Sequence, residues 1–286
     1  MFVWNTANGH IVSSLAIIPQ VFTEAPKCLT WGGYAKDYKG RDTTNYQFAI
    51  SGNKKMTLWQ LNPQTGQTNH DMVNTGTLVR EYSCLTYSKN REDFLFAGTA
   101  SGDFIGFQIK NKVLAFNVNA CAKGIKTIKA VTADKVVVGG GDGQIILFQT
   151  SGPQPIQLLK SQLYGSIHGL SVSQDGLQLL TASDRGFIYR VRVNDFSQML
   201  LCENHTAAVV NIWFMKDLSD KFVTCSEDGT IRLWDSNNYS VIARCVAPQS
   251  SSTAVGIMPL CAIFTDEVII SGWSDGRIRA FRVDNC

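Results

Sequence analysis

Four histidines, eight cysteines and one glycine-rich run are the residues of this chain whose types could support chemistry, and their spacing argues against most of it. His10, His70, His168 and His205 share no HxxH or HExxH pattern, so no two of them are placed to hold one metal ion from a helix face. The cysteines stand at Cys28, Cys84, Cys121, Cys202, Cys225, Cys245, Cys261 and Cys286; the closest pair is sixteen apart, which leaves no CxxC metal or redox pair. Several lie in strand-like apolar runs, such as Lys27-Cys28-Leu29 and Phe222-Val223-Thr224-Cys225, where a thiol acts as a small buried apolar group. Scattered spacings in a chain this long predict free thiols rather than a disulfide framework. Gly139-Gly140-Gly141-Asp142-Gly143 looks like a phosphate cradle, yet it joins two strand-like runs and no Lys-Ser/Thr follows it, so it reads as a turn. Arg190, Arg192, Arg232, Arg277 and Arg279 recur on the strands after such turns and make either a cationic patch or a set of ion pairs. With no nucleophile–base pair and no metal cluster, the expectation is a protein with no catalytic site, cofactor, metal or small-molecule substrate.

The elements that carry these residues are strands. The 286 residues are 44% hydrophobic, 10% aromatic and 17% charged, enough apolar material for a folded core and too little charge for a disordered chain. Lys and Arg total 26 against 23 Asp and Glu, a net charge of +3 with no block of like charge, so electrostatic binding of nucleic acid is not expected. The longest uncharged stretch, Cys245 to Thr265, is broken by Pro248, the polar run Gln249 to Thr253, and Pro259, and does not make a membrane-spanning helix. Met1-Phe2-Val3-Trp4-Asn5 has no basic segment ahead of an apolar one, so a cytoplasmic location is expected rather than secretion.

No stretch keeps a helical apolar period over eleven residues, whereas a strand-turn-strand unit recurs. The aromatic or apolar residue closing the strand after each turn falls at Trp4, Trp59, Phe107, Phe148, Val191, Trp234 and Phe281, with spacings of 55, 48, 41, 43, 43 and 47. The best unit runs from Lys221 to Asp235, with Asp228-Gly229 as the two-residue turn, and its four strands read as Val209 to Met215, Lys221 to Ser226, Thr230 to Asp235 and Ser240 to Val246.

That unit resembles the WD-repeat family of β-propellers, whose period is about 40–45 residues. His205, Thr224, Asp228 and Trp234 match the four positions of the family's structural hydrogen-bond tetrad, a chain of donors and acceptors that would satisfy polar groups across three strands. Other units depart: the sixth keeps Ser271 and Asp275 but has Phe281 for the Trp, the third keeps Asp142 but has Val138 and Phe148, and the fourth pairs Thr181 with Arg185 at the Asp position. Those blades are expected to rely on apolar packing. The resemblance implies an all-β propeller of four-stranded antiparallel blades, so that residues 1–286 form one domain where length alone suggests two.

Counting strands gives a third strand (Phe2 to Trp4), a fourth (His10 to Ile17), five complete units and a sixth that stops after its third strand at Val283. His10 to Ile17 is therefore expected to close the ring as the outer strand of the last unit, giving six blades, with seven as the alternative. The half-unit left over points to a larger parent protein. Gly32 to Asn45 departs furthest from the period and reads as a solvated surface insertion, as does Gln249 to Thr253 between blades. Tyr34, Lys36, Tyr38 and Arg41 of the first insertion, with Trp273 at a turn that would expose it, form the candidate partner surface; Trp273 packed between blades is the alternative.

A closer resemblance runs through Phe187 to Phe196, Val268 to Phe281 and the segment from Lys135 to Gly139, which are similar to stretches of the cilia- and flagella-associated WD-repeat proteins. Those proteins carry two propellers in tandem and sit inside the doublet-microtubule wall of motile cilia. The resemblance implies a non-catalytic scaffold of the axoneme whose partners are tubulin and neighbouring axonemal proteins. A general WD-repeat adaptor in a soluble cytoplasmic or nuclear complex is the alternative, and a propeller hydrolase with polar groups converging on the channel is a third.

Overall fold

Period-two runs of Val, Ile and Phe punctuated by Gly and Asp turns fold as the spacing predicts, into strands joined by tight hairpins. The computed structural model describes residues 1–15, 17, 21–89, 93–215, 218–247, 256–265 and 267–285. The strands in chain order are β1 (Phe2–Trp4), β2 (Ile11–Ser14), β3 (Cys28–Lys36), β4 (Asp42–Gly52), β5 (Lys55–Leu61), β6 (Thr68–Met72), β7 (Tyr82–Tyr87), β8 (Phe94–Thr99), β9 (Asp103–Gln108), β10 (Val113–Asn119), β11 (Ile125–Ala130), β12 (Lys135–Gly140) and β13 (Gln144–Gln149). They continue as β14 (Ile156–Gln162), β15 (Ile167–Val172), β16 (Gln178–Ser183), β17 (Phe187–Arg192), β18 (Gln198–Glu203), β19 (Val209–Met215), β20 (Leu218–Ser226), β21 (Thr230–Asp235), β22 (Val241–Val246), β23 (Pro259–Phe264), β24 (Val268–Trp273) and β25 (Ile278–Arg282), followed by a 3-10 turn over Val283–Asn285.

Among the described residues consecutive strands pair into seven sheets: β1-β2, five four-stranded sheets (β3 to β6, β7 to β10, β11 to β14, β15 to β18, β19 to β22), and the three-stranded β23-β24-β25. The five complete units and the two partial ones thus fall where the repeat places them. Every landmark residue from Trp59 to Phe281 lies on the third strand of its sheet. Among the described residues the expected closing pair is not seen. Ile11–Ser14, shorter than the anticipated His10 to Ile17, pairs with Phe2–Trp4 in the register Phe2–Ser14 and Val3–Ser13. A local hairpin closes a loop of a few residues, far less costly in entropy than one joining the two ends of the chain.

Two compact units contain these sheets, one of residues 1–184 and 189–199, the other of residues 185–188 and 200–286. In the first, the innermost strands β3, β7, β11 and β15 lie against one another in series. Its core is aromatic and aliphatic, with Phe96, Phe104, Phe116, Ile125, Val138 and Phe148 in one cluster and Val137, Ile145, Ile167, Leu179 and Val191 in another. Gly98 and Gly139, at the same place on their second strands, make this packing fit, since a Cβ on Gly139 would lie 2.8 Å from the Ile167 side chain and one on Gly98 would collide with Ile125. In the second unit Val223, Cys225, Ile231, Leu233, Ile269 and Trp273 form the core.

Two local features differ from expectation. Gly32 to Asn45 is not a loop: it continues the first hairpin, with β3 nine and β4 eleven residues long against six each for β7, β8, β11 and β12, leaving only the turn at residues 37–41. Alternating residues such as Tyr34 and Tyr46 pair across the two strands, so the segment satisfies its backbone as sheet. The cysteines Cys28, Cys84, Cys121, Cys202, Cys225 and Cys261 are free thiols, but Cys245 is disulfide-bonded, a pairing that sequence spacing does not reveal. Gln249 to Thr253 and Cys286 lie outside the described residues.

Candidate functional site

The tetrad residues come together as the spacing requires. His205 lies in the loop before β19, Thr224 on β20, Asp228 in the Asp228-Gly229 turn, where Gly229 takes φ = 81°, and Trp234 on β21. Trp234 Nε1 donates to Thr224 Oγ1 at 2.8 Å, Thr224 Oγ1 lies 2.7 Å from His205 Nε2, and His205 Nδ1 lies 2.9 Å from Asp228 Oδ2. With the ring proton on Nδ1, each group gives to the next along a single line from indole to carboxylate. Asp228 also accepts from the Thr230 hydroxyl at 2.6 Å and from the Thr206 backbone N–H at 3.0 Å. Burial would raise the carboxyl's pKa, but the hydrogen bonds from His205, Thr230 and Thr206 outweigh it and hold the group well below the usual carboxylate range.

Hydroxyl, imidazole and carboxylate in line resemble a hydrolase triad, yet the side chains of His205 and Asp228 are only 6% and 5% exposed. Thr224 is itself only 5% exposed, and its hydroxyl accepts from Trp234 and donates to His205, so it lies out of a substrate's reach. The arrangement ties three strands together. Among the described residues no group of three or more His, Cys, Asp or Glu side chains is placed to hold a metal ion.

Three other sheets link the segment before their first strand to the turn aspartate, with different residues. In the sheet of β7 to β10, Arg80, in the loop before β7, takes the place of the histidine, and its Nε donates to Asp103 Oδ2 at 2.7 Å. Backbone N–H groups reach the turn aspartates elsewhere: Ala122 to Asp142 at 3.1 Å and Ser166 to Asp184 at 2.9 Å. Asp184, not Arg185, is therefore the acidic turn residue of the fourth unit. The indole–hydroxyl pair also recurs within a strand, from Trp59 Nε1 to Thr57 at 2.9 Å and from Trp273 Nε1 to Ser271 at 2.8 Å. Both are i, i+2 pairs on one face of a strand, a spacing visible in the sequence once the reach of the indole is considered.

This settles the place of Trp273. It is 2% exposed, bonded to Ser271 and covered by the Arg279 guanidinium 5.1 Å from its ring, so it belongs to the core and not to a partner surface. The side chain lies along β24 instead of projecting from the following turn, because its indole N–H finds a buried acceptor there. The third-strand arginines are mostly tied up: Arg192 pairs with Asp195, Arg277 and Arg279 with Asp275, and Arg232 is buried beside Glu203 and Asp228 at 3.4 and 3.8 Å. Arg190 reaches the Met199 sulfur.

The four remaining candidates share the β3–β4 hairpin and its turn. Tyr34 is 46% and Tyr38 79% exposed, Lys36 pairs with Asp42, and Arg41 pairs with Asp37 at 2.9 Å. Across the same sheet an aromatic row runs from Trp31 through Phe48 and Trp59 to His70, with ring separations of 5.5, 5.9 and 4.4 Å. This row holds the long hairpin rigid, so its tip projects from an ordered base.

Residues 196–235, which contain the tetrad, match the family described as WD domain, G-beta repeat. The chain is 28% identical over 237 residues to the Homo sapiens cilia- and flagella-associated protein 52, covering 82% of this chain and 37% of that protein. It is 26% identical over 292 residues to the Chlamydomonas reinhardtii protein of the same name, covering 98% and 43%. The chain thus spans about two fifths of the length of the curated relatives it matches. Among solved structures, the crystal structure of the computationally designed Ika8 protein shares the fold at a TM-score of 0.51 and 16% identity, over 98% of this chain and 77% of that one. The chain thus carries one matched WD repeat, at residues 196–235, in a run of four-stranded antiparallel sheets, and is similar over most of its length to cilia- and flagella-associated protein 52.

Proposed function

We propose that this chain is a non-catalytic protein-interaction scaffold of the ciliary or flagellar axoneme, attached to doublet microtubules, with tubulin and neighbouring axonemal proteins as its partners. The observation that carries the reading is the similarity to cilia- and flagella-associated protein 52 over as much as 98% of the chain. The polar chemistry supports a scaffold, because the His205–Asp228–Thr224 line is consumed in holding strands together. The reading includes one propeller domain of six blades, closed by an N-terminal strand and belonging to a tandem-propeller protein. It assigns Tyr34, Lys36, Tyr38 and Arg41 to the partner-facing side.

The test is fractionation of a flagellated cell expressing the tagged chain. Retention in detergent-extracted axonemes, with cross-links to tubulin, is the expected result. Recovery entirely in the detergent-soluble cytoplasm or nucleus, with partners from a non-ciliary complex, would replace this reading with that of a general adaptor.

A further inference from the structure

The lengthened β3–β4 hairpin does more than present side chains at its tip: it forms one wall of a groove of about 700 Å³ within the first unit. Lys36, Asp37, Tyr38 and Gly40 line this wall; Phe94 and the turn at residues 109–112 line the other. The outer side is held by a link between neighbouring sheets, in which Asn74 bridges to Val113, the Asn74 N–H donates to the Lys112 carbonyl at 2.8 Å, and Lys112 Nζ pairs with Asp71 at 2.7 Å. The walls are therefore set by backbone hydrogen bonds.

The lining is rich in side-chain amides: Gln47, Gln60, Gln108 and Asn111. Gln47 is 7% exposed, and its Nε2 has no hydrogen-bond partner among the described residues. A buried amide N–H without an acceptor costs about 1–3 kcal/mol; Nε2 is closed off in the free chain, so a ligand recovers that amount when the Gln47 side chain turns its amide towards a carbonyl oxygen in the groove. The ionisable lining is balanced, with Lys36, Lys110 and Lys112 against Asp37, Asp71 and Asp93, which gives no field to favour a polyanion. Primary amides carry a donor and an acceptor side by side, the same pair that a peptide backbone presents. The volume lies within the range of sites that enclose a short segment or small ligand.

We propose that this groove binds an extended peptide segment of a partner protein, read mainly through its main chain, with one carbonyl accepting from Gln47 Nε2 and side chains of both charge signs at the rim. Exposed Tyr38 at the mouth packs over the bound segment. The inference goes beyond the axonemal reading, and a partner of either class could supply the segment.

The probe is a phage-displayed library of linear twelve-residue peptides selected on the full chain, followed by fluorescence anisotropy with the enriched peptides made synthetically. Gln47→Leu keeps the side-chain volume and removes the orphan donor. It should weaken binding about tenfold, the equivalent of one hydrogen bond of about 1.4 kcal/mol, while leaving the melting temperature equal or higher. Asn111→Trp, at the exposed rim, should abolish binding by filling the groove, and Ile156→Lys, far from it on β14, should have no effect. Failure to enrich any peptide, equal affinity for the parent, Gln47→Leu and Asn111→Trp proteins, or displacement of the peptide by a single-stranded oligonucleotide would each overturn the proposal. None of these outcomes bears on whether the chain fractionates with axonemes, so the two readings fail separately.

Discussion

Replacing Thr224 by Val tests whether the tetrad acts as one connected line. Thr224 is 5% exposed, and its hydroxyl sits between the Trp234 indole at 2.8 Å and the His205 imidazole at 2.7 Å. Val keeps the shape of the side chain and leaves two polar groups without their partner. An orphaned buried group costs about 1–3 kcal/mol, and with Trp234 half-buried its share lies near the lower limit, so the substitution should cost about 2–4 kcal/mol. Trp234→Phe alone removes the donor and keeps the stack on Phe222, whose ring lies 5.9 Å away and nearly parallel, so its cost should be about 1–2 kcal/mol. In the double variant the orphaned indole of the first substitution is gone. The combined loss should then fall short of the sum by about 1 kcal/mol, measured from urea unfolding by far-UV circular dichroism with hydrogen exchange read at β20 and β21. Contacting residues couple while independent ones add to within about 0.3–0.5 kcal/mol, so strict additivity would refute the line of hydrogen bonds. Thr224→Ser, which keeps the hydroxyl, should be much the milder substitution.

Trp273→Ala should destabilise the protein by about 3–5 kcal/mol, the range for a large buried aromatic, and any loss of partner binding should track the unfolded fraction; lost binding with unchanged melting would contradict its placement in the core. Gly102 has φ = 95° and a Cβ there would collide with the Cys121 carbonyl, so Gly102→Ala should cost about 2 kcal/mol or more, whereas Gly40→Ala, at φ = 79° in open space, should cost about 1 kcal/mol; equal melting temperatures would refute the steric account. Acid should weaken the fold through the turn carboxylates. Hydrogen bonds and ion pairing from Arg279 hold Asp275 at about 2, and Asp228 is also depressed, so the stability they contribute is fully present above the unfolded carboxylate value of about 4 and is lost as pH falls from there towards their folded values. Urea midpoints from pH 7 down to about 2.5 should therefore drop mainly below pH 4, and less steeply in Asp228→Asn; an unchanged slope in that variant would remove Asp228 from the account.

The strand framework was legible because it rests on local rules. Asp228-Gly229 and Asp142-Gly143 supply the turn geometry of their hairpins whatever the tertiary surroundings, and the apolar residues between turns repeat at the blade period. The tetrad was legible for the same reason, as each member sits at a fixed offset from the turn. Features that depend on which atom reaches which were not. The turn between β4 and β5 puts Asn53 and Lys54 at positive φ, although the glycine beside it, Gly52, is the residue that suits that conformation. Arg80 standing in for a histidine, and Trp273 folding back onto Ser271, are choices among acceptors that become distinct only in three dimensions. The extended hairpin read as an insertion because Gly32 and Gly33 interrupt the strand pattern, yet pairing with Asp42–Gly52 overrides their preference, while Asp37 and Gly40 do form the turn at its tip.

The contrast between the tetrad and the groove bears on where a scaffold keeps its capacity to bind. Thr224, His205 and Asp228 have spent their hydrogen bonds on one another, so no partner gains by approaching them and their contribution is to hold the hairpins in place. Gln47 is as buried as Thr224 but has an amide N–H left over, at the foot of a hairpin longer than its counterparts. Regular units also hold buried polar atoms without a hydrogen-bond partner among the described residues, including Ser166 Oγ, Thr181 Oγ1 and Arg232 Nη1, but Gln47 lines the groove, and the β3–β4 wall beside it is held stiff by the Trp31–Phe48–Trp59–His70 row beneath it. A rigid wall carries little ordering cost when a ligand binds, so even one recovered hydrogen bond and a modest contact area appear as affinity rather than being offset by lost flexibility. If that is correct, loosening the wall should weaken the peptide without touching it: Trp31→Ala, on the face of the sheet opposite Gln47, should reduce affinity for the selected peptides several-fold through slower association, while Gln47→Leu should act mainly by faster dissociation.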